Sequence, residues 1–202
     1  MSLSTADAPP SRLERLRADP SSIALVVLVG VALVPFVVAL VVLWSRPWWH
    51  PGGDEALISL RAWDVGRDTP LLGAYSRYGW NHPGPLLFWL LAVPVRLLGD
   101  AGTGATAGAI VLNATAAVAV VVLAARRLGV VGAAGALGLV AVLVAANAHV
   151  VWSVWNPHVT LLAFLAYLVA VWCIADGDVA GWPAAAVSAV FCIQSHVGYG
   201  SV

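Results

Sequence analysis

The sequence predicts an all-α protein, a polytopic bundle of transmembrane helices, and three observations lead to that prediction. Hydrophobic residues make up 61% of the 202 residues and charged residues only 10%, whereas a soluble domain carries roughly 25% charged residues. The mean hydropathy is +0.90. Apolar runs that suit the ~30 Å hydrocarbon core of a bilayer recur along the chain. The formal net charge of +0 argues against a basic stripe, so we expect the bilayer as a partner and no nucleic acid.

The first apolar run, Ser22–Leu43, predicts the first span. Its roughly 22 residues reach across ~30 Å at ~1.5 Å per residue. No cleavage site follows it, and the tryptophans at 44, 48 and 49 are typical of a membrane-interface anchor. Residues 1–21 are polar and carry three arginines. The sequence therefore predicts a multi-pass protein of the plasma membrane with its N-terminus in the cytoplasm.

The remaining apolar runs are Gly84–Gly99, Gly104–Ala125, Val130–Val151, Val159–Ala175 and Trp182–Val202. The first of these decides the topology, because it is short for a crossing and contains Pro94. If it spans, Arg126 and Arg127 fall outside. If it lies along the outer interface or dips in and returns, both arginines fall in the cytoplasm, as the positive-inside rule favours. We favour the second topology: a transmembrane domain over 22–202, an extracytoplasmic loop 45–83 after the first span, and a juxtamembrane helix in the run Gly84–Gly99 that follows. The last run has no polar tail, so we expect the domain to be incomplete at its C-terminus.

This topology brings three polar clusters to the outer side of the membrane. They are the acidic loop around Asp54, the segment 152–158 and the segment 194–199. Polar residues within an otherwise apolar chain usually face a cavity or a partner. We therefore expect the functional site among these clusters.

Two interpretations of the acidic pair Asp54-Glu55 remain open. Asp54 could cap a helix that follows Gly52-Gly53, with Glu55 in the first turn. Alternatively, the pair could serve as a general base or a metal ligand that faces a membrane-bound substrate. The two interpretations are compatible, because a cap does not use every lone pair of a carboxylate.

The other candidate residues are polar side chains that could bind a ligand at the membrane surface: Asn81, His82, Asn156, His158, Gln194, His196 and Tyr199. For Asn81 and His82 the alternative is a rigid turn around Pro83 and Pro85 that leads into the next helix. The tryptophans beside Asn156 can anchor the interface without further function. Helical spacing would place Tyr199 on the same face as Ser195.

Four short motifs follow one another in this chain: Asp54-Glu55, the segment His82-Pro83-Gly84-Pro85-Leu86-Leu87-Phe88-Trp89-Leu90-Leu91-Ala92, Arg96-Leu97-Leu98-Gly99 and Arg126-Arg127-Leu128-Gly129. Their order resembles the N-terminal half of the GT-C superfold glycosyltransferases. These polyprenyl-phosphate-sugar-dependent enzymes include protein O-mannosyltransferases and lipid A aminoarabinose transferases. The resemblance covers residues 22 to about 130.

The resemblance implies an enzyme of the bacterial cell envelope that moves a sugar from a polyprenyl-phosphate donor to an extracytoplasmic acceptor. It implies that Asp54 activates the acceptor as a base or through a divalent metal, and that Glu55 supports it. His82 would contact the donor phosphate. Members often carry a second acid in the next outer loop, where this chain has Trp155–His158 and no carboxylate. The alternative is a non-enzymatic membrane protein, a transporter segment or assembly subunit, that binds a lipid headgroup.

Overall fold

The computed structural model describes residues 20–46 and 50–201, which form a helical bundle. Most of the polar segment 1–21 and the anchoring residues Trp48 and Trp49 lie outside the described residues. The eight helices of the described part are α1 (Pro20–Trp44), α2 (Gly53–Asp64), α3 (Leu86–Leu98), α4 (Ala101–Ala146), α5 (His149–Trp152), α6 (Asn156–Val159), α7 (Leu161–Ala175) and α8 (Trp182–Ser195). Two 3-10 turns, Val179–Gly181 and Val197–Ser201, flank α8.

Three helical segments are long and apolar enough to cross a membrane, judged by length and composition. They are Pro20–Trp44, Ala101–Ala146 and Asn156–Ala175. The helical fold class is therefore confirmed, with one small addition. A pair of two-residue strands, β1 (Tyr75–Ser76) and β2 (Trp80–Asn81), pairs antiparallel within the loop between α2 and α3.

The helix α4 is a hairpin of two antiparallel segments, as the two predicted runs on either side of residue 128 require. The backbone leaves helical geometry at Leu128 (φ −123°) and Gly129 (φ 59°, ψ −144°), and the positive φ favours glycine there. A Cβ on Gly132 would collide with the carbonyl oxygen of Ala124. In a straight helix these residues would lie about 12 Å apart along the axis, so the chain reverses at Gly129.

The helix α3 packs antiparallel against the start of α4. A Cβ on Gly104 would collide with the backbone of Val95, and one on Gly108 would lie 2.8 Å from Leu91 Cδ2. The contacting residues are four positions apart on each helix, so the two backbones stay close over a full turn. With 13 residues, α3 extends only about 20 Å, less than the ~30 Å hydrocarbon core.

Ion pairs join the turn of α4 to the turn between α7 and α8. Arg126 donates from Nε and Nη2 to the carboxylate of Asp178 at 2.9 and 3.0 Å. Arg127 contacts the carboxylate and the carbonyl of Asp176. The Arg126 guanidinium holds the pKa of Asp178 below its usual range. Both polar turns therefore lie at one end of the bundle.

Three hydrophobic clusters fill the described part of the bundle, and two of them are large. One joins α1, both arms of α4 and α7, with Phe36, Val121, Val140 and Leu162 among its buried residues. The other joins α2, α3, α4 and α8 and contains Ile58, Leu91, Ala105 and Phe191. The outer face of α1 stays exposed, with Val26 and Val41 at 71% and 64% exposure.

Two predicted spans are shorter in the structure than in the sequence analysis. The second arm of α4 ends at Ala146, and Asn147 takes an extended conformation, because its side-chain Oδ1 accepts the backbone N–H of His149. The helix α8 ends at Ser195, and His196 is extended. Tyr199 therefore lies in a 3-10 turn, and the prediction that helical spacing aligns it with Ser195 is wrong.

Candidate functional site

The loop between α1 and α3 folds over the end of the bundle opposite the arginine pairs. Its hairpin is closed by hydrogen bonds from Gly73 N to His82 O and from His82 N to Ala74 O, both 2.9 Å. The turn before α3 then docks on α8, since Gly84 N donates to Gln194 O at 3.2 Å. A Cβ added at Gly84 would collide with the side chain of Gln194, which would have to move to make room for it.

Hydrogen bonds connect the three polar clusters to one another. Trp155 Nε1 donates to Asp54 Oδ2 at 3.1 Å, which joins the acidic loop to the segment 152–158. Asn156 Nδ2 donates to the carbonyl of Ser195 at 3.0 Å, which joins that segment to the end of α8. The three clusters therefore form one polar surface at one end of the bundle.

Asp54 lies in the first turn of α2, but it is not the N-cap. Gly52 occupies the cap position in an extended conformation with no side-chain hydrogen bond, and Gly53 follows with φ 55°. The prediction of an Asp54 cap is wrong by two residues because the paired glycines let the helix begin earlier. The carboxylate is exposed and is oriented by Trp155 instead.

Asp54 lines a cavity of about 740 Å³ beneath the hairpin. Two other predicted binding residues, Asn81 and Asn156, line the same cavity. Its charged and aromatic lining also includes Arg61, Asp64, Tyr75 and Arg77, and its apolar lining includes Leu57, Leu60, Leu71, Leu72 and Phe88. A volume within the usual 300–1,000 Å³ range and a mixture of apolar walls and convergent polar groups are typical of a ligand site.

Glu55 points toward a different set of partners from Asp54. Its Oε1 accepts a 2.5 Å hydrogen bond from the hydroxyl of Ser153, which is fully buried. The same hydroxyl lies 3.1 Å from His158 Nδ1. His158 packs on Trp155 and stacks on His149, with ring centroids 4.8 and 5.2 Å apart. Glu55 and His158 are therefore linked to each other and do not line the cavity of Asp54.

His82 and His196 form a second pair of imidazoles, with ring centroids 4.8 Å apart. His82 is buried, and its Nδ1 accepts the backbone N–H of Val197 at 3.2 Å. Burial, followed by the positive charge that His196 can carry, lowers the pKa of His82. His82 is therefore neutral at pH 7 and carries its proton on Nε2.

Gln194, His196 and Tyr199 lie on the α8 side of the polar surface. Gln194 holds the turn at Gly84, as described above. Tyr199 packs on Phe164, with centroids 4.8 Å apart, and its hydroxyl lies 3.3 Å from Thr160 Oγ1. His196 and Tyr199 line a separate cavity of about 270 Å³.

Four residues of this polar end were not predicted from the sequence. Arg61 and Arg77 line the large cavity, although nothing in the local sequence distinguishes them from other loop arginines. Ser153 and His149 join His158. The position of Ser153 within the tryptophan-rich segment 152–158 was the available signal, but only the fold shows that it meets Glu55.

A divalent metal does not fit the acids of this site. Asp54 and Asp64 both line the cavity, but ten residues of helix separate them, roughly 15 Å along the axis. Glu55 is occupied by Ser153. Within residues 20–46 and 50–201, no group of three or more His, Cys, Asp or Glu side chains could hold a metal ion.

The chain matches no protein-family model, and neither a curated protein nor a solved structure matches it.

Proposed function

We propose that the chain is an integral plasma-membrane glycosyltransferase, or the N-terminal part of one, with its N-terminus in the cytoplasm. It transfers a sugar from a polyprenyl-phosphate donor to an extracytoplasmic acceptor. The observation that carries the proposal is the 740 Å³ cavity, which places the Asp54 carboxylate in a partly apolar, partly charged wall at one end of an apolar bundle. A lipid-linked sugar has the same division between an apolar chain and a polar head.

Asp54 acts as the base in this mechanism. Trp155 occupies Oδ2, and Oδ1 has no hydrogen-bond partner among the described residues. Oδ1 takes the proton from the acceptor hydroxyl while the acceptor oxygen forms its bond to the anomeric carbon. The bond between that carbon and the phosphate oxygen breaks, and polyprenyl phosphate leaves with the electron pair.

Arg61 and Arg77 bind the donor phosphate in this proposal. Both line the cavity, and guanidinium groups match the geometry of phosphate oxygens. His82 is buried and neutral, so it brings no positive charge to a phosphate. Its role is to hold the segment after α8 through Val197.

The test is sugar transfer by membranes that contain the full-length gene product, followed as release of polyprenyl phosphate. Asp54→Asn should lower the rate by about 10²–10⁴, the usual contribution of a general base. Asp68→Asn is the matched control, because Asp68 is an exposed acid of the same loop outside the cavity. Transfer by Asp54→Asn at the wild-type rate would refute the role of Asp54. Donor binding by the wild type without any transfer would favour a headgroup-binding membrane protein.

A further inference from the structure

The hydroxyl of Ser153 connects a carboxylate to an imidazole. It lies 2.5 Å from Glu55 Oε1 and 3.1 Å from His158 Nδ1. It also accepts the backbone N–H of Trp155 at 3.2 Å. Because Ser153 is fully buried, water does not compete for these bonds, and its proton and lone pairs can be assigned by counting.

Counting the proton and lone pairs of the Ser153 hydroxyl determines the tautomer of His158. A serine hydroxyl has one proton, and an ionised carboxylate can only accept. The proton of Ser153 therefore goes to Glu55. His158 must then donate from Nδ1 to the Ser153 oxygen, which leaves Nε2 without a proton in the neutral ring.

The Nε2 atom of His158 is not fully buried. His158 is half-buried, and Nε2 has no hydrogen-bond partner among the described residues and does not belong to their buried unpartnered atoms. The indole of Trp155 separates His158 from Asp54, since its ring packs on the imidazole while its Nε1 binds the carboxylate. His158 does not line the cavity of Asp54, and Trp155 is the residue that contacts both side chains.

We propose that His158 accepts a hydrogen bond from a hydroxyl group of a bound sugar, and that Glu55, acting through Ser153, fixes the imidazole in the tautomer that can accept it. Glu55 and Ser153 are positioning residues, and His158 binds the ligand. This inference rests on the proposed sugar transfer for the identity of the ligand. The tautomer itself does not depend on it.

Nitrogen NMR of histidine-labelled protein in nanodiscs measures the tautomer directly, at a pH well above the ordinary histidine pKa of ~6.5. The His158 signal is assigned because it disappears in His158→Asn. In the wild type it should show a protonated Nδ1 and an unprotonated Nε2. A wild-type His158 protonated on Nε2 would overturn the proposal, whatever the outcome of the transfer assay.

Two substitutions test how the tautomer is fixed. Glu55→Ala frees the Ser153 proton to bond His158 Nδ1, so the imidazole proton should move to Nε2. Ser153→Thr keeps a hydroxyl and should keep the wild-type tautomer. Asp54→Asn is the matched control: it removes the neighbouring acid that the transfer requires but lies outside the hydrogen-bond chain, so its His158 signal should remain wild type. An unchanged His158 signal in folded Glu55→Ala would contradict the role of Glu55.

The ligand class is tested by labelling with diethyl pyrocarbonate, which attacks unprotonated imidazole nitrogens. Octyl glucoside should slow labelling of His158 about two- to tenfold, as one hydrogen bond allows. Octyl phosphocholine has the same chain without hydroxyl donors and should not protect it. The exposed His50 serves as an internal reference. Equal labelling of His158 with both amphiphiles would overturn the assignment to a sugar hydroxyl, and this result does not depend on detecting transfer.

Discussion

Gly104→Ala should destabilise the bundle where α3 packs against α4. The added Cβ would collide with Val95 Cα and lie 2.8 Å from Val95 N and 3.0 Å from Pro94 O. These are backbone atoms, which cannot rotate out of the way as a side chain can. The two helices must separate, and the hydrophobic cluster beneath the site loses contacts.

The loss of unfolding free energy can be estimated by comparing Gly104 with a glycine that has free space around it. Gly135, also in α4, would have nothing within 4 Å of an added Cβ, so Gly135→Ala should stabilise the helix by up to ~1 kcal/mol. Gly104→Ala gains the same propensity but adds an overpacking cost of about 1–3 kcal/mol. The difference in unfolding free energy between the two variants should therefore be about 1–3 kcal/mol. Gly108→Ala should fall between them, because its close neighbours at 2.8 Å are the side-chain atoms Leu91 Cδ2 and Pro94 Cγ.

Reversible unfolding in mixed micelles, followed by tryptophan fluorescence, measures these free energies. The expected order of stability is Gly135→Ala, then Gly108→Ala, then Gly104→Ala. If Gly104→Ala proved as stable as Gly135→Ala, the close packing of α3 on α4 would be refuted. Because α3 carries the turn that docks on Gln194, Gly104→Ala should also slow sugar transfer, whereas Gly135→Ala should leave it unchanged.

Two further predictions concern pH. The pKa of His82 is lower in the fold than in the unfolded chain, so its contribution to stability is complete above pH ~6.5 and is lost as the pH falls toward the folded-state pKa. In His82→Asn, the new side chain can still accept the backbone N–H of Val197 but does not titrate. The Tm of this variant should therefore fall less than that of the wild type between about pH 7 and pH 5. An equal fall in Tm would contradict this role of His82. The pKa of Asp178 is also lowered, by Arg126, so the pair stabilises the fold above pH ~3.9 and this contribution is lost on acidification. Arg126→Gln should raise the Asp178 pKa measured by NMR, and an unchanged titration would exclude the ion pair.

Several features of the fold could be predicted because they depend on local composition. Apolar runs of sufficient length gave the helices, and Gly129 between two such runs marks the reversal of α4. Gly104 and Gly108, four residues apart, lie where α3 and α4 are in close contact, whereas a Cβ added at Gly135 or Gly138 would meet nothing within 4 Å. A glycine pattern identifies a face on which close approach is possible, but only a neighbouring helix makes that approach.

The site was predicted less completely because its contacts join residues far apart in the chain. Glu55 and Ser153 are separated by 98 positions, and nothing in the local sequence around either residue indicates the other. Arg61 and Arg77 carry charges that any exposed loop could have, and they line a common cavity only because the hairpin folds back over α2.

The sequence alone determined that this chain is a helical protein suited to a membrane, with polar clusters that share one end. Hydrophobic burial and helix length depend on the composition of the chain and the spacing of its apolar residues, and both can be read directly from the sequence. Only the tertiary structure decided that the adjacent acids Asp54 and Glu55 have separate surroundings. Neighbouring side chains on a helix point in different directions, so one acid lines the cavity and the other binds Ser153. The two acids are separated in this way because α2 packs on the segment 152–158.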